Sequence, residues 1–105
     1  MAKVNLGGRE LEIDEDGFIQ DPAAWDEAVA KDLAKTEHVE QMSDEHWRVV
    51  NYIRDYYQKF QIAPMIRKLC KETQCDLKHM YELFPSGPAK GACKVAGLPK
   101  PTGCV

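Results

Sequence analysis

The sequence predicts a mostly α fold: a small helical bundle with an N-terminal β-hairpin, a helix-turn-helix-like pair and a flexible C-terminal arm. Three observations predict it. Apolar residues alternate at period two across residues 4–13. From Ser43 onward they recur every three or four residues. Residues 85–105 then hold four of the six prolines and four of the seven glycines. At 105 residues the chain makes one domain with one modest core. Composition divides it into a helical domain, 1–84, and a Gly/Pro-rich arm, 85–105.

Val4, Leu6, Leu11 and Ile13 alternate with polar residues around Gly7-Gly8, the pattern of a hairpin with a primed turn. Asp14-Glu15-Asp16-Gly17 reads as a turn. Asp21-Pro22 reads as a helix start, with Asp21 as N-cap and Pro22 in the first turn. That helix would run to Lys35, with Trp25, Val29 and Leu33 on its inner stripe. Ser43 caps the longest helix, whose apolar positions are Trp47, Val50, Ile53, Tyr57 and Phe60. Pro64 opens a third helix with Met65, Ile66 and Leu69 inward, broken at Thr73-Gln74-Cys75. Asp76 caps a fourth, with Leu77, Met80 and Leu83 or Phe84 inward, and Pro85 stops it. In the arm, one short helix would begin at Pro88 and end before Gly97. The last eight residues could then extend to roughly 26 Å.

Charge is uneven. Residues 1–43 carry eleven acids against four bases, residues 44–84 six against seven, and residues 85–105 only Lys90, Lys94 and Lys100. The net charge of −3 and the acidic pI of 5.6 oppose a general nucleic-acid binder. A helix-turn-helix regulator presenting Arg67, Lys68, Lys71 and Lys78 to phosphates is the alternative from another class. No apolar run approaches the ~18 residues of a membrane helix. The N-terminus lacks the apolar core of a signal peptide, which places the protein in the cytoplasm.

Four cysteines are too few for a disulfide-stapled scaffold. Cys93 and Cys104 are eleven positions apart, and a bond between them would close a loop at a cost of about 3 kcal/mol. Gly97 and Gly103 help the chain bend back. Lys90 and Lys94 flank Cys93, Lys100 precedes Cys104, and the segment has no carboxylate, a setting that favours thiolate. Redox or carrier chemistry stands here against an accidental surface thiol. Cys70 and Cys75 read as small buried residues. The spacing C-x4-C-x17-C-x10-C lacks the close pairs of zinc and iron–sulfur sites. His38, His46 and His79 show no ligand spacing, and His46 reads as a surface residue. No phosphate loop or nucleophile–base–acid set is present. Tyr52, Tyr56 and Tyr81 are candidates for partial exposure to a partner.

Several stretches together resemble the DsrC/TusE family, the sulfur-carrier gamma protein of dissimilatory sulfite reductase. They are residues 14–18, Asp55-Tyr56-Tyr57, residues 62–65, and residues 81–88 running into Gly91-Ala92-Cys93-Lys94. The ending, residues 97–105, is the most specific of them. The TusE-like branch, which serves tRNA thiolation, keeps the penultimate cysteine and lacks the upstream one. Having both Cys93 and Cys104, this chain looks like DsrC. The resemblance implies that the alpha and beta subunits of the reductase are partners, that the arm enters a cleft of that enzyme and that Cys104 accepts sulfur there. Cys93 would act as the resolving thiol in a Cys93–Cys104 trisulfide, which a membrane-bound complex reduces to release sulfide. It also implies no cofactor or metal on this chain, the sirohaem and iron–sulfur clusters belonging to the reductase. It assigns no role to Cys70 or Cys75.

Overall fold

The computed structural model describes residues 2–87 and 91–98. Strands β1 (Ala2–Leu6) and β2 (Arg9–Ile13) pair antiparallel, from Ala2 opposite Ile13 to Leu6 opposite Arg9. Gly7 and Gly8 take φ values of 60° and 81°, the geometry of a primed two-residue turn. The hairpin tip is tied to the helical layer, because the Gly7 N–H donates to the Asp32 carboxylate at 2.7 Å. Asp14 then organises the expected turn, its carboxylate accepting from the Asp16 and Phe18 N–H groups. The turn delivers Phe18 and Ile19 into the core.

Helix α1 (Glu27–Thr36) begins later than the Asp21-Pro22 signal predicts. Asp21 accepts from the Ala23 N–H and caps only a 3-10 turn, Pro22–Ala24. Asp26 is the N-cap of α1, accepting from Val29 at 2.9 Å. Arg9 braces this junction by binding Asp26 at 3.0 Å and the Ala24 carbonyl. Trp25 therefore lies outside α1, while Val29 and Leu33 face the core.

Helix α2 (Asp44–Phe60) starts at Ser43 as expected and buries Val49, Val50 and Ile53. Helices α3 (Ile66–Thr73) and α4 (Leu77–Leu83) form the helix-turn-helix-like pair, joined through Gln74 in the left-handed conformation. Arg67, Lys68, Lys71 and Lys78 are all exposed. Three positions expected inward are outside: Phe60 in the last turn of α2, Met65 ahead of α3, and Leu77 in the first turn of α4. At helix ends the apolar stripe outruns the neighbours that could cover it.

His46 is not a bystander at the surface. Its Nδ1 accepts from the Ser43 N–H at 3.0 Å, and its Nε2 lies 2.8 Å from the Leu83 carbonyl. The same ring meets Phe84 edge-on, with centroids 5.1 Å apart. One imidazole thus caps α2 and holds the end of α4.

The chain closes with a single helical turn, α5 (Cys93–Val95). The compositional boundary at residue 85 is not a packing boundary, since Ala92, Cys93, Val95, Ala96 and Leu98 belong to the same core as α1 and α2. Among the described residues, no helix is long and apolar enough to cross a membrane.

Removing the His46 ring should cost more than removing the cap alone. We expect Ser43→Ala to lose about 1 kcal/mol of unfolding free energy. His46→Ala should lose about 1–3 kcal/mol, because a largely buried carbonyl at Leu83 is left unpaired. Urea denaturation followed by circular dichroism measures both.

Candidate functional site

The region around Cys93 is built by capturing the end of a short helix. Gly97 adopts a φ of 77°. Its N–H donates to the Lys94 carbonyl at 3.0 Å and the Leu98 N–H to the Cys93 carbonyl at 3.2 Å. This pairing is a Schellman motif with glycine at the left-handed position. The carbonyls of Val95 and Ala96 remain, and both are bound by side chains from elsewhere. The Trp25 indole N–H donates to Val95 at 2.8 Å, and the Arg54 guanidinium donates to Ala96 at 2.8 Å. Arg54 also stacks on Trp25, 4.0 Å from the ring centroid. A side chain at position 97 would collide with this indole, since a Cβ there would lie 2.3 Å from it.

Lys94 is buried at 8% exposure, and its ammonium pairs with the Glu37 carboxylate at 2.9 Å. Its tail crosses Gly17 and approaches the Phe18 ring. Cys93 itself is 1% exposed, and burial pushes its thiol up to about 12. This corrects the expectation that flanking lysines favour thiolate at Cys93. Lys94 is spent on Glu37, and removal from water governs the thiol.

Cys104, Lys90, Lys100 and Gly103 lie outside the described residues. Gly97, expected to help the chain bend, is the helix-ending residue. Cys75 is buried, as expected, at 4% exposure. Cys70 is half-buried, and burial followed by the nearby Cys75 raises its thiol. Where the described chain ends, a pocket of about 160 Å³ is lined by Ala23, Arg54, Tyr57, Gln58, Gln61 and Leu98.

A family profile described as "DsrC like protein" matches residues 5–105. The chain belongs to the DsrC family. It is 49% identical over 105 residues, the full length of both chains, to the dissimilatory-type sulfite reductase subunit gamma of Nitratidesulfovibrio vulgaris. It is 41% identical over 112 aligned positions, again the whole of both chains, to the sulfurtransferase TusE of Photorhabdus laumondii. The crystal structure of the oxidized DsrC gamma-subunit from Archaeoglobus fulgidus superposes with a TM-score of 0.87 at 46% identity, covering 99% of this chain and 100% of that one. The mostly helical fold with its N-terminal hairpin is thus the DsrC fold.

Sequence reasoning placed Trp25 on the inner stripe of a helix but missed its role here, and it missed Glu37 and Arg54 altogether. Nothing local marks them, because their partners are 42 to 70 positions away. The one available signal was the basic segment itself, since a lysine among apolar residues needs an acid from another element.

Two outcomes follow from this packing. Gly97→Ala should destabilise the protein by about 2–4 kcal/mol, combining backbone strain with the collision at Trp25; thermal unfolding reads this. In native protein at pH 7.5, iodoacetamide should label Cys93 at least about tenfold more slowly than Cys70, and labelling of Cys93 should quicken steadily as pH rises. Peptide mass spectrometry, with a urea-unfolded control in which the difference vanishes, checks it.

Proposed function

We propose that this DsrC-family chain is a cytoplasmic sulfur carrier and co-substrate of dissimilatory sulfite reductase, with Cys104 the acceptor and Cys93 the resolving thiol. The observation that carries the reading is the full-length match to a reductase gamma subunit in a chain that holds both cysteines.

The chemistry balances. The reductase delivers two electrons to sulfite sulfur. Bonding of that sulfur to both thiols oxidises the two cysteine sulfurs by one electron each and reduces the bridging atom by two, while the three sulfite oxygens leave as water with the two thiol protons and four from solvent. The product is a Cys93–Cys104 trisulfide. Four further electrons and four protons, supplied by a membrane-bound thiol-reducing complex, return two thiols and hydrogen sulfide. The haem chemistry belongs to the reductase, and Lys90, Lys100 and Gly103 serve the reach and charge of the arm.

The buried Cys93 thiol adds an order of events. A thiol held near 12 is a weak nucleophile, so Cys104 captures sulfur first. Cys93 then joins once the clamp on its segment loosens. A persulfide relay of the TusE type is the second reading, favoured by the TusE relatives. In it Cys104 carries sulfur alone and Cys93 is structural. The helix-turn-helix reading has less support, because the exposed lysines of α3 and α4 share a molecule with a strongly acidic N-terminal half.

Intact mass after incubation with the reductase, sulfite and a reductant separates these readings. The expected product gains one sulfur and loses two hydrogens. Cys93→Ala should stop at a Cys104 adduct, and Cys104→Ala should gain nothing. A bridge that forms equally in Cys104→Ala overturns the proposal, whereas identical persulfide loading in wild type and Cys93→Ala favours the relay.

A further inference from the structure

We propose that Glu45, Cys75 and His79 form a binding site for one zinc-class divalent ion, seated between the start of α2 and the turn joining α3 to α4. The donor atoms of these three residues all lie within 4.8 Å of one another. Tetrahedral zinc, with bonds of about 2.0–2.3 Å, sets its donors roughly 3.3–3.8 Å apart. The group is therefore a small side-chain adjustment from a coordinating geometry.

The donor set is the one such an ion selects. One thiolate, one imidazole and one carboxylate form a borderline-soft environment, unlike the all-oxygen shells of calcium or magnesium. Three protein ligands leave a fourth position open.

The backbone prearranges two of the ligands. The Cys75 N–H donates to the Cys70 carbonyl at 3.1 Å. Asp76 caps α4 by accepting from the His79 N–H at 2.8 Å. Cys75 and His79 are thereby fixed one helical turn apart. Glu45 comes from α2, on the exposed side, and closes the group.

His79 already shows the orientation that a metal-bound imidazole needs. Its Nε2 lies 2.5 Å from Glu45, and its Nδ1 lies 3.3 Å from Glu82. A carboxylate on the second nitrogen is the usual support for a ligating histidine. The ion would take the place of the proton now shared between Nε2 and Glu45, and that contact would open by about 1 Å. Binding releases this proton and the Cys75 thiol proton. The resulting thiolate, carboxylate and dication sum to zero charge, which suits a sulfur that is 4% exposed.

None of the three ligands takes part in the proposed sulfur chemistry, so the site stands or falls independently of it. The test uses reduced, chelator-stripped full-length protein and Co2+ as a spectroscopic probe, in wild type and in Cys104→Ala. The expected result is one Co2+ per chain, with a thiolate-to-cobalt charge-transfer band in both proteins and no band in Cys75→Ala. Glu45→Gln and His79→Gln alter accessible groups and keep the test valid if Cys75→Ala fails to fold; each should weaken Zn2+ binding at least about tenfold in a chelator competition. Glu82→Gln should weaken it about 10- to 100-fold through the imidazole alone. Absence of the band in Cys104→Ala, its survival in Cys75→Ala, or Zn2+ affinity unchanged in both Glu45→Gln and His79→Gln overturns the proposal.

Discussion

Everything around Cys93 depends on burying the end of a one-turn helix. The carbonyls of Val95 and Ala96 have no intrahelical partner, and inside a core an unpaired carbonyl costs about 1–3 kcal/mol. Trp25 and Arg54 supply the two donors, and their mutual stacking holds both in place. This accounts for features elsewhere. Trp25 must lie across the segment, so the chain spends residues 22–24 on a 3-10 turn before Asp26 caps α1 and the helix begins at Glu27. The indole fills the space above residue 97, so that residue has no side chain. Lys94, carried inward with the segment, takes Glu37 from just beyond α1 as its counter-charge.

The same burial shapes the chemistry open to Cys93. In a low-polarity site a thiol stays neutral, which protects it from oxidation and from random exchange. In the proposed carrier such protection would suit a resolving thiol, because premature closure would block the acceptor cysteine. The lysine beside it does not work against this. Paired at 2.9 Å with a carboxylate, Lys94 presents the thiol with little net field. Activation then requires a change in packing rather than a change in local charge. Loss of the Trp25 and Arg54 hydrogen bonds would admit water to the sulfur and lower its pKa towards the ordinary cysteine range.

The sequence made local decisions legible and distant ones invisible. The glycine pair at the hairpin, Ser43 and Asp76 as caps, and Gly97 beyond the last helix all act within a few residues, and each stands where it was expected. Asp21 misled because the same Asx geometry caps a single 3-10 turn as readily as a helix. Phe60, Met65 and Leu77 misled because periodicity reports which face a residue shares, not whether a neighbour covers it. Glycine and proline around Cys93 gave a flexible reading, whereas the glycines that are described serve close packing: Gly91 against Phe84 and Gly97 against Trp25. The family resemblance located Cys93 and Cys104 in the chain, yet the 1% exposure of Cys93 follows from contacts that no motif contains.

Cys93 and Cys75 report to different parts of α2. Arg54, in its C-terminal half, holds the Cys93 segment. Glu45, in its first turn, faces Cys75 and His79. Nine residues of helix separate them, about 13 Å along the axis. Charge placed at one end is therefore beyond the Debye length of roughly 8–10 Å from the other where solvent intervenes. What joins them is packing: His46, next to Glu45, binds Leu83 and meets Phe84 edge-on, and Phe84 in turn packs on Gly91, two residues before Cys93. An ion at Glu45 would stiffen the fixed side of that segment without touching the Trp25–Arg54 clamp. The fold thus separates a side that anchors the segment from the Trp25–Arg54 side, which in the proposed carrier would have to yield for the Cys93 thiol to meet a sulfur atom.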